Sequence, residues 1–384
     1  MINSKEQHRE SLNDSGSKKT ILELCMSPDL GGLELYMMRA AKALKDEFNV
    51  ISIINANSKL EQYYDENHKY IKIKKNNNLF MFGAVKELAK IIDSMHVEII
   101  HMHWTKDIPF VVLAKMLSKS KPKIVQTRNM TMTRFKNDFY HRWMYKNIDL
   151  MLPVTYQVKE QLERFIPHDI RPKIEVLYMG SDKPEMLSND EAEALKKSLD
   201  FRNESFNLGM VGRINEAKGQ RLLIKAVDFL VKKGLHVNAY FVGHAMKESY
   251  LDALKKEIKD RNLENNIHFL GFMKNPHHFY QICDAVVLAS KRETFGLVLI
   301  EAMQVGTAVI GSNSGGVVEI IEDERTGLLF EAQNFESLAC GVEKLINNSE
   351  LLESISKAGQ KKCQEMFSNE LQFVKLAEIF KSAF

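Results

Sequence analysis

Short apolar runs alternate with longer amphipathic stretches through most of this 384-residue chain, and the alternation happens twice. A strand that is apolar at every position is covered on both faces, and helices apolar on one side supply the covers. The pattern therefore predicts an α/β protein with parallel sheets. In the first half it places strands at 21–26, 50–54, 70–73, 98–102, 123–126, 150–153 and 173–177, with helices at 33–44, 79–95, 132–146 and 155–165. Residues 179–205 change character: they are charged and carry a short helix pattern at 189–199, which reads as a connection. The alternation restarts with strands at 207–211, 237–242, 267–270, 285–288, 308–310 and 327–330, and a helix pair over 336–384 closes the chain. The expected division is a disordered polar leader at 1–19, a first α/β domain at 20–180, a linker at 181–206 and a second α/β domain at 207–365. A final helix at 366–384 is expected to pack back on the first domain.

Composition narrows the function classes. With 45% hydrophobic residues, 27% charged residues and a net charge of +3, the chain can bury two cores, and it has no charge excess that implies a nucleic-acid partner. No apolar run reaches the roughly 20 residues needed to cross a bilayer, and the polar start lacks the apolar segment of a secretion signal. Cys25, Cys283, Cys340 and Cys363 form no Cys-x-x-Cys pair, which argues against a zinc site or a disulfide framework and fits a reducing cytoplasm. The sequons at Asn129 and Asn347 are then chance matches.

Three segments carry chemistry. Glu293-Thr-Phe-Gly-Leu-Val-Leu-Ile-Glu301 follows a buried-looking strand and opens a helix near Gly296. The amides of Phe295, Gly296 and Leu297 there form an anion site. Two glutamates eight apart are equally what a solvated helix face shows, so the pair decides nothing alone. Gly212-Arg213 ends a strand and Lys218-Gly219 begins the next helix, putting a guanidinium and an ammonium on a loop where open α/β sheets bind ligands. Together they suit a diphosphate, although an exposed basic loop has the same composition. Gly31-Gly32-Leu33-Glu34 is a glycine turn at a helix start, but it is not the Gly-x-Gly-x-x-Gly fingerprint of dinucleotide binding.

With these motifs in this order, and with Gly311-Ser-Asn-Ser-Gly-Gly-Val-Val-Glu319 and Gly327-Leu-Leu after them, the chain resembles the retaining GT-B glycosyltransferases of family 4. The similarity is dense over 208–330 and thinner before. The resemblance implies two Rossmann-like domains facing a cleft, and transfer of a sugar from a nucleotide-sugar donor with retention of anomeric configuration. It implies that Arg213 and Lys218 bind the donor diphosphate and offset charge on the departing nucleotide. Glu301 would hold the ribose hydroxyls, Glu293 would face the donor sugar, and Phe295, Gly296 and Leu297 would touch phosphate and sugar. Gly271, Phe272 and Met273 match the place where the base meets backbone, and Gly31 and Gly32 match the loop that admits the phosphate. No Asp-x-Asp motif is present, and two cations with a helix end make a metal bridge unnecessary; no cofactor is implied. One position departs: many members carry Thr-x-His after the fifth strand, where this chain reads Thr127-Arg128-Asn129. Asn129 can hydrogen-bond a sugar but cannot become a cation. Arg128 would add charge to the cleft, and His103, one step beyond His101, is the candidate to compensate, against the alternative of a packing histidine.

In such enzymes the first domain selects the acceptor, here expected to be a glycan or a lipid-linked glycan for lipopolysaccharide or another surface polysaccharide. Segment 131–146 mixes Arg134, Lys136, Arg142 and Lys146 with Phe135, Phe139, Tyr140, Trp143, Met144 and Tyr145. At helical spacing this reads either as a basic aromatic face for peripheral contact with the inner side of the cytoplasmic membrane or as aromatics packed in the core. A nucleotide-sugar epimerase of the same fold and a catalytically silent sugar-binding partner are the rival readings.

Overall fold

The computed structural model describes residues 18–66, 68–75, 81–202 and 204–382. The expected leader lies outside them except for its last two residues. Strands β1 (Thr20–Cys25), β2 (Asn49–Asn55), β3 (Tyr70–Ile73), β4 (Val97–Met102), β5 (Lys123–Arg128), β6 (Leu150–Pro153) and β7 (Lys173–Ile174) form one parallel sheet in the order β3-β2-β1-β4-β5-β6-β7. Between them run α1 (Gly32–Leu44), α2 (Met81–Ser94), α3 (Ile108–Leu117), α4 (Phe139–Lys146) and α5 (Tyr156–Phe165). The connecting segment holds α6 (Asn189–Ser198), started by a reciprocal Ser188–Glu191 capping box.

The second sheet has the order β10-β9-β8-β11-β12-β13, again all parallel, from β8 (Phe206–Val211), β9 (Val237–Val242), β10 (Ile267–Gly271), β11 (Ala285–Leu288), β12 (Ala308–Ser312) and β13 (Leu328–Phe330). Its helices are α7 (Gln220–Lys232), α8 (Glu248–Asp260), α9 (His277–Ile282), α10 (Leu297–Gln304), α11 (Val317–Ile320), α12 (Phe335–Ile346) and α13 (Ser349–Met366), and α14 (Asn369–Ser382) follows. In each sheet the strand order reverses beside the first strand, between β1 and β4 and between β8 and β11. Such switch points open a crevice at the carboxyl ends of the strands.

Every residue of β1, β6, β9 and β11 is buried, because helices cover both faces. The second sheet has its own outer core, with Leu223, Val227 and Phe241, and the first has Leu88, Phe110 and Val158. A third cluster runs through the junction and joins Ile21, Phe48 and Val125 to Phe295, Phe367 and Phe380.

Two local expectations are corrected. The end of the chain forms three helices where a pair was expected, because Asn348 accepts a hydrogen bond from the Leu351 amide and Ser368 from the Leu371 amide, each starting a new helix. Residues 132–138 are not helical. Asp138 caps α4 by accepting from the His141 amide, and the segment before it is tied to α5 by Met132 N–H to Gln161 and Lys136 N–H to the Phe165 carbonyl.

After α13 the chain crosses back to the first domain. Ser181 N–H donates to the Phe367 carbonyl at 2.8 Å, Asn369 N–H donates to Ser181 at 3.0 Å, and the Asn369 side chain donates to Asp182 at 2.7 Å. Beyond that crossing α14 lies on α1, with Phe373 against Tyr36 and Phe380 against Phe48.

Candidate active site

A cavity of about 360 Å³ lies between the carboxyl ends of the two sheets. From the first domain Gly32, Leu33, Asn129 and Val154 line it. From the second come Arg213, Lys218, Glu293, Thr294 and Phe295–Val298. The walls nearly meet: a Cβ on Gly32 would stand 3.4 Å from Leu297 Cδ1. Eight of the residues singled out from sequence thus share one cavity: Gly32, Asn129, Arg213, Lys218, Glu293, Phe295, Gly296 and Leu297.

Local geometry explains how the charges arrive there. After β8 the chain makes one 3-10 turn over Glu216–Lys218, started by Asn215, whose side chain accepts from the Ala217 amide. Gly219 then takes φ +83°, and a Cβ there would lie 2.1 Å from the Ala289 carbonyl oxygen, so only glycine lets this loop seat against the end of β11. Lys218 Nζ is thereby held 2.8 Å from Glu293 Oε2, and both side chains are largely buried. The sequence treated these groups as separate contacts; they form an ion pair. Arg213 has no carboxylate partner among the described residues, and its carbonyl accepts from the Gln220 side chain at 3.1 Å. The cavity therefore presents one unpaired guanidinium, one paired ammonium and the N-terminus of α10, which together favour an anion.

Glu301, one turn into α10, lies outside the cavity lining. It accepts a 2.9 Å hydrogen bond from the Tyr280 hydroxyl. Burial raises its carboxyl above the usual range, while Tyr280 and the charge of Arg39 pull the other way. Arg39 reaches this point from α1 and pairs with Asp182 at 3.6 Å. Gly271, Phe272 and Met273, at the end of β10, are also outside the lining, with Phe272 well exposed against His244. Gly31 caps α1 beside the cavity rather than lining it.

The expectation for His103 is corrected. It is 1% exposed and turned away from the cavity; its Nε2 donates to Glu23 Oε2 at 2.6 Å while His101 Nδ1 donates to Glu23 Oε1 at 2.9 Å. Both rings are on the strand face that α14 covers, with Phe380 5.3 Å from His101. Glu23, His101 and His103 bring three metal-ligating atoms within 4.8 Å of one another, but both carboxylate oxygens are already engaged, and His101 Nε2 accepts from Thr127 at 2.7 Å. The cluster is satisfied as a hydrogen-bonded core network, leaving only His103 Nδ1 without a partner. Arg128 also turns inward. It is 6% exposed and donates to the carbonyls of Met130 and Thr131 and to the Thr105 hydroxyl, so it shapes the loop that carries Asn129 instead of adding charge to the cleft.

The basic aromatic segment divides. Met144 and Tyr145 are core residues, whereas Phe139 is 88% and Phe135 59% exposed, with Tyr140 half exposed beside them. No helix among the described residues is long and apolar enough to cross a membrane.

Residues 191–362 match the family model "Glycosyl transferases group 1" and residues 23–157 match "Glycosyl transferase 4-like". The chain is a glycosyltransferase whose second half matches the group 1 model and whose first half matches the 4-like model. It is 26% identical to the capsular polysaccharide biosynthesis glycosyltransferase CapM of Staphylococcus aureus, over 86% of this chain and 90% of that one. Among solved structures, a glycosyltransferase from Rickettsia africae aligns with a TM-score of 0.85 at 25% identity, over 96% of this chain and 99% of that one. Anabaena Alr3699/HepE in complex with UDP aligns with a TM-score of 0.82 at 20% identity, over 95% and 100%. These likenesses fix the GT-B architecture of the glycosyltransferase: two Rossmann-like domains facing a cleft.

The sequence passed over several residues of this region. Tyr280, Arg39 and Asp182 surround Glu301 but sit on three separate elements without a shared motif. Glu319 ends the Gly311–Glu319 motif, and nothing near it in sequence names its partner.

Proposed function

We propose that this glycosyltransferase takes a sugar from a nucleotide-sugar donor and adds it, with retention, to a glycan or lipid-linked acceptor in surface-polysaccharide biosynthesis. The observation that carries the reading is the convergence of Arg213, the Lys218–Glu293 pair and the α10 N-terminus on one cavity between the domains. In this reading Arg213 and Lys218 contact the diphosphate and stabilise the charge that grows on it as the glycosidic bond breaks. Lys218 is oriented by Glu293, and a bound diphosphate shares that ammonium, freeing the Glu293 carboxylate toward the sugar. The amides at Phe295–Leu297 complete the anion site. Asn129, across the cavity, hydrogen-bonds a sugar hydroxyl without carrying charge. Glu301, outside the cavity, accepts from the ribose hydroxyls, and the base lies against the backbone of Gly271–Met273. Gly31 and Gly32 keep the first domain's wall thin enough for phosphate to approach. The bound UDP of HepE makes UDP the first nucleotide to try, and the role of CapM in capsule synthesis supports a surface glycan as acceptor.

Incubation with UDP-sugars and a membrane extract, followed by NMR of the product's anomeric proton, tests the transfer. The α-linked product from an α-linked donor is expected. An inverted product overturns retention, and a changed nucleotide sugar with no acceptor product overturns transfer. The exposed Phe135, Phe139 and Tyr140 beside Arg134 and Arg142 favour reversible contact with an anionic bilayer. Co-sedimentation with anionic vesicles at low salt, weakened by Phe139→Ser, is the expected result, and no binding at low salt rejects the contact.

A further inference from the structure

One carboxylate of the second domain is bound entirely by donors of the first. Glu319, in α11, accepts from the backbone N–H of Tyr156 at 2.9 Å and of Gln157 at 3.0 Å, and from the Tyr178 hydroxyl at 3.1 Å. The two amides open α5, where free N–H groups and the helix dipole favour a negative charge. Burial and the facing carboxylate both push the Tyr178 hydroxyl up, so it remains a donor throughout the physiological range. Beside this contact Gly316 meets Thr155, the N-cap of α5. A Cβ on Gly316 would stand 2.8 Å from Thr155 Cγ2, so the close approach depends on glycine.

The same segment reaches the cavity. Gly316 N–H donates to the Glu293 carbonyl at 3.1 Å, and Glu293 holds Lys218. A load on Glu319 is thus passed through the first turn of α11 to the backbone of the residue that orients the ammonium.

We infer that Glu319 is a positioning residue: it latches the second domain onto the start of α5 and so keeps Glu293 and Lys218 aligned across the closed cleft. The alignment half of this inference rests on the donor reading of the cavity; the latch itself does not.

The test uses nitroxide labels on Cys340, the exposed native cysteine of the second domain, and on Lys86→Cys in the first; the remaining cysteines are buried. Interdomain distances are measured without ligand by pulsed electron resonance, and kcat and donor KM are measured on the unlabelled enzymes. Glu319→Ala is expected to spread the distances to longer separations and to lower kcat roughly ten- to a hundredfold, as a misplacement of about 1 Å at the reacting groups does, with donor KM moving far less. Glu319→Gln keeps the shape but offers one acceptor oxygen where two are used, and should fall between Ala and wild type. Tyr178→Phe should move both readouts least. An unchanged distance distribution in Glu319→Ala overturns the latch, and an unchanged kcat, or a loss confined to KM, overturns the positioning role. A wild type that binds no nucleotide sugar overturns the donor reading instead, while the ligand-free distances still decide the latch.

Discussion

Glu301 has a single hydroxyl partner in a desolvated setting, so its ionised form is poorly supported in the protein alone, and the proposed function gives it ribose hydroxyls to hold. Its carboxyl lies above the ordinary 4.5 because burial outweighs Tyr280 and Arg39. Protonation on acidification therefore begins at higher pH than for a free carboxylate, and nucleotide affinity should fall with it. Glu301→Gln should weaken UDP binding roughly ten- to a hundredfold, the scale of a charged hydrogen bond. It should also remove this acid-side loss; calorimetry across pH checks both. Glu23 works in the opposite direction. Burial alone would raise it, but His101 and His103 hold it at about 2, while burial and His101 push His103 down to about 4 against the pull of Glu23. Both groups bind fewer protons folded than unfolded. Their stabilisation is present at neutral pH and is lost as pH falls, from about 6.5 toward 4 for His103 and from about 4.5 toward 2 for Glu23. Acid denaturation followed by circular dichroism should shift to lower pH in His103→Gln, if the neutral amide keeps a hydrogen bond to Glu23. No shift would mean that the network does not govern acid stability.

At the scale of elements, the strands were legible because each is a short run dominated by apolar residues, and the second-domain loops because Arg213, Lys218 and Glu293 are polar residues set at strand ends. The misreadings have a common physical cause, which is cover supplied from far along the chain. Strand parity does put His101 and His103 on one face, but nothing in their neighbourhood says that α14 returns to seal it. Likewise the apolar spacing of 132–146 is real, yet Asp138 and the bonds to α5 decide where the helix starts. Glu319 is legible only once α5 lies opposite it. Because α14 contributes Phe380 to the junction core, Phe380→Ala should cost about 3–5 kcal/mol. Thermal melts should show the first domain affected, although Phe380 is distant from it in sequence; a loss confined to the second domain would contradict this packing.

For the whole molecule, two chain crossings, at 180–182 and 367–369, join domains that also meet through the junction core and the Glu319 contact, with the cavity between their strand ends. In the proposed function the halves would part to admit the donor and close to bring Arg213, Lys218 and Asn129 around it. The most direct test is calorimetric titration of UDP, GDP and ADP into the wild type and into Arg213→Ala. Binding of one nucleotide, weakened at least about tenfold by the loss of the unpaired guanidinium, is the expected result. Equal affinity in the two proteins, or no binding of any of the three at millimolar concentration, would contradict the assignment of this cavity to a nucleotide-sugar diphosphate.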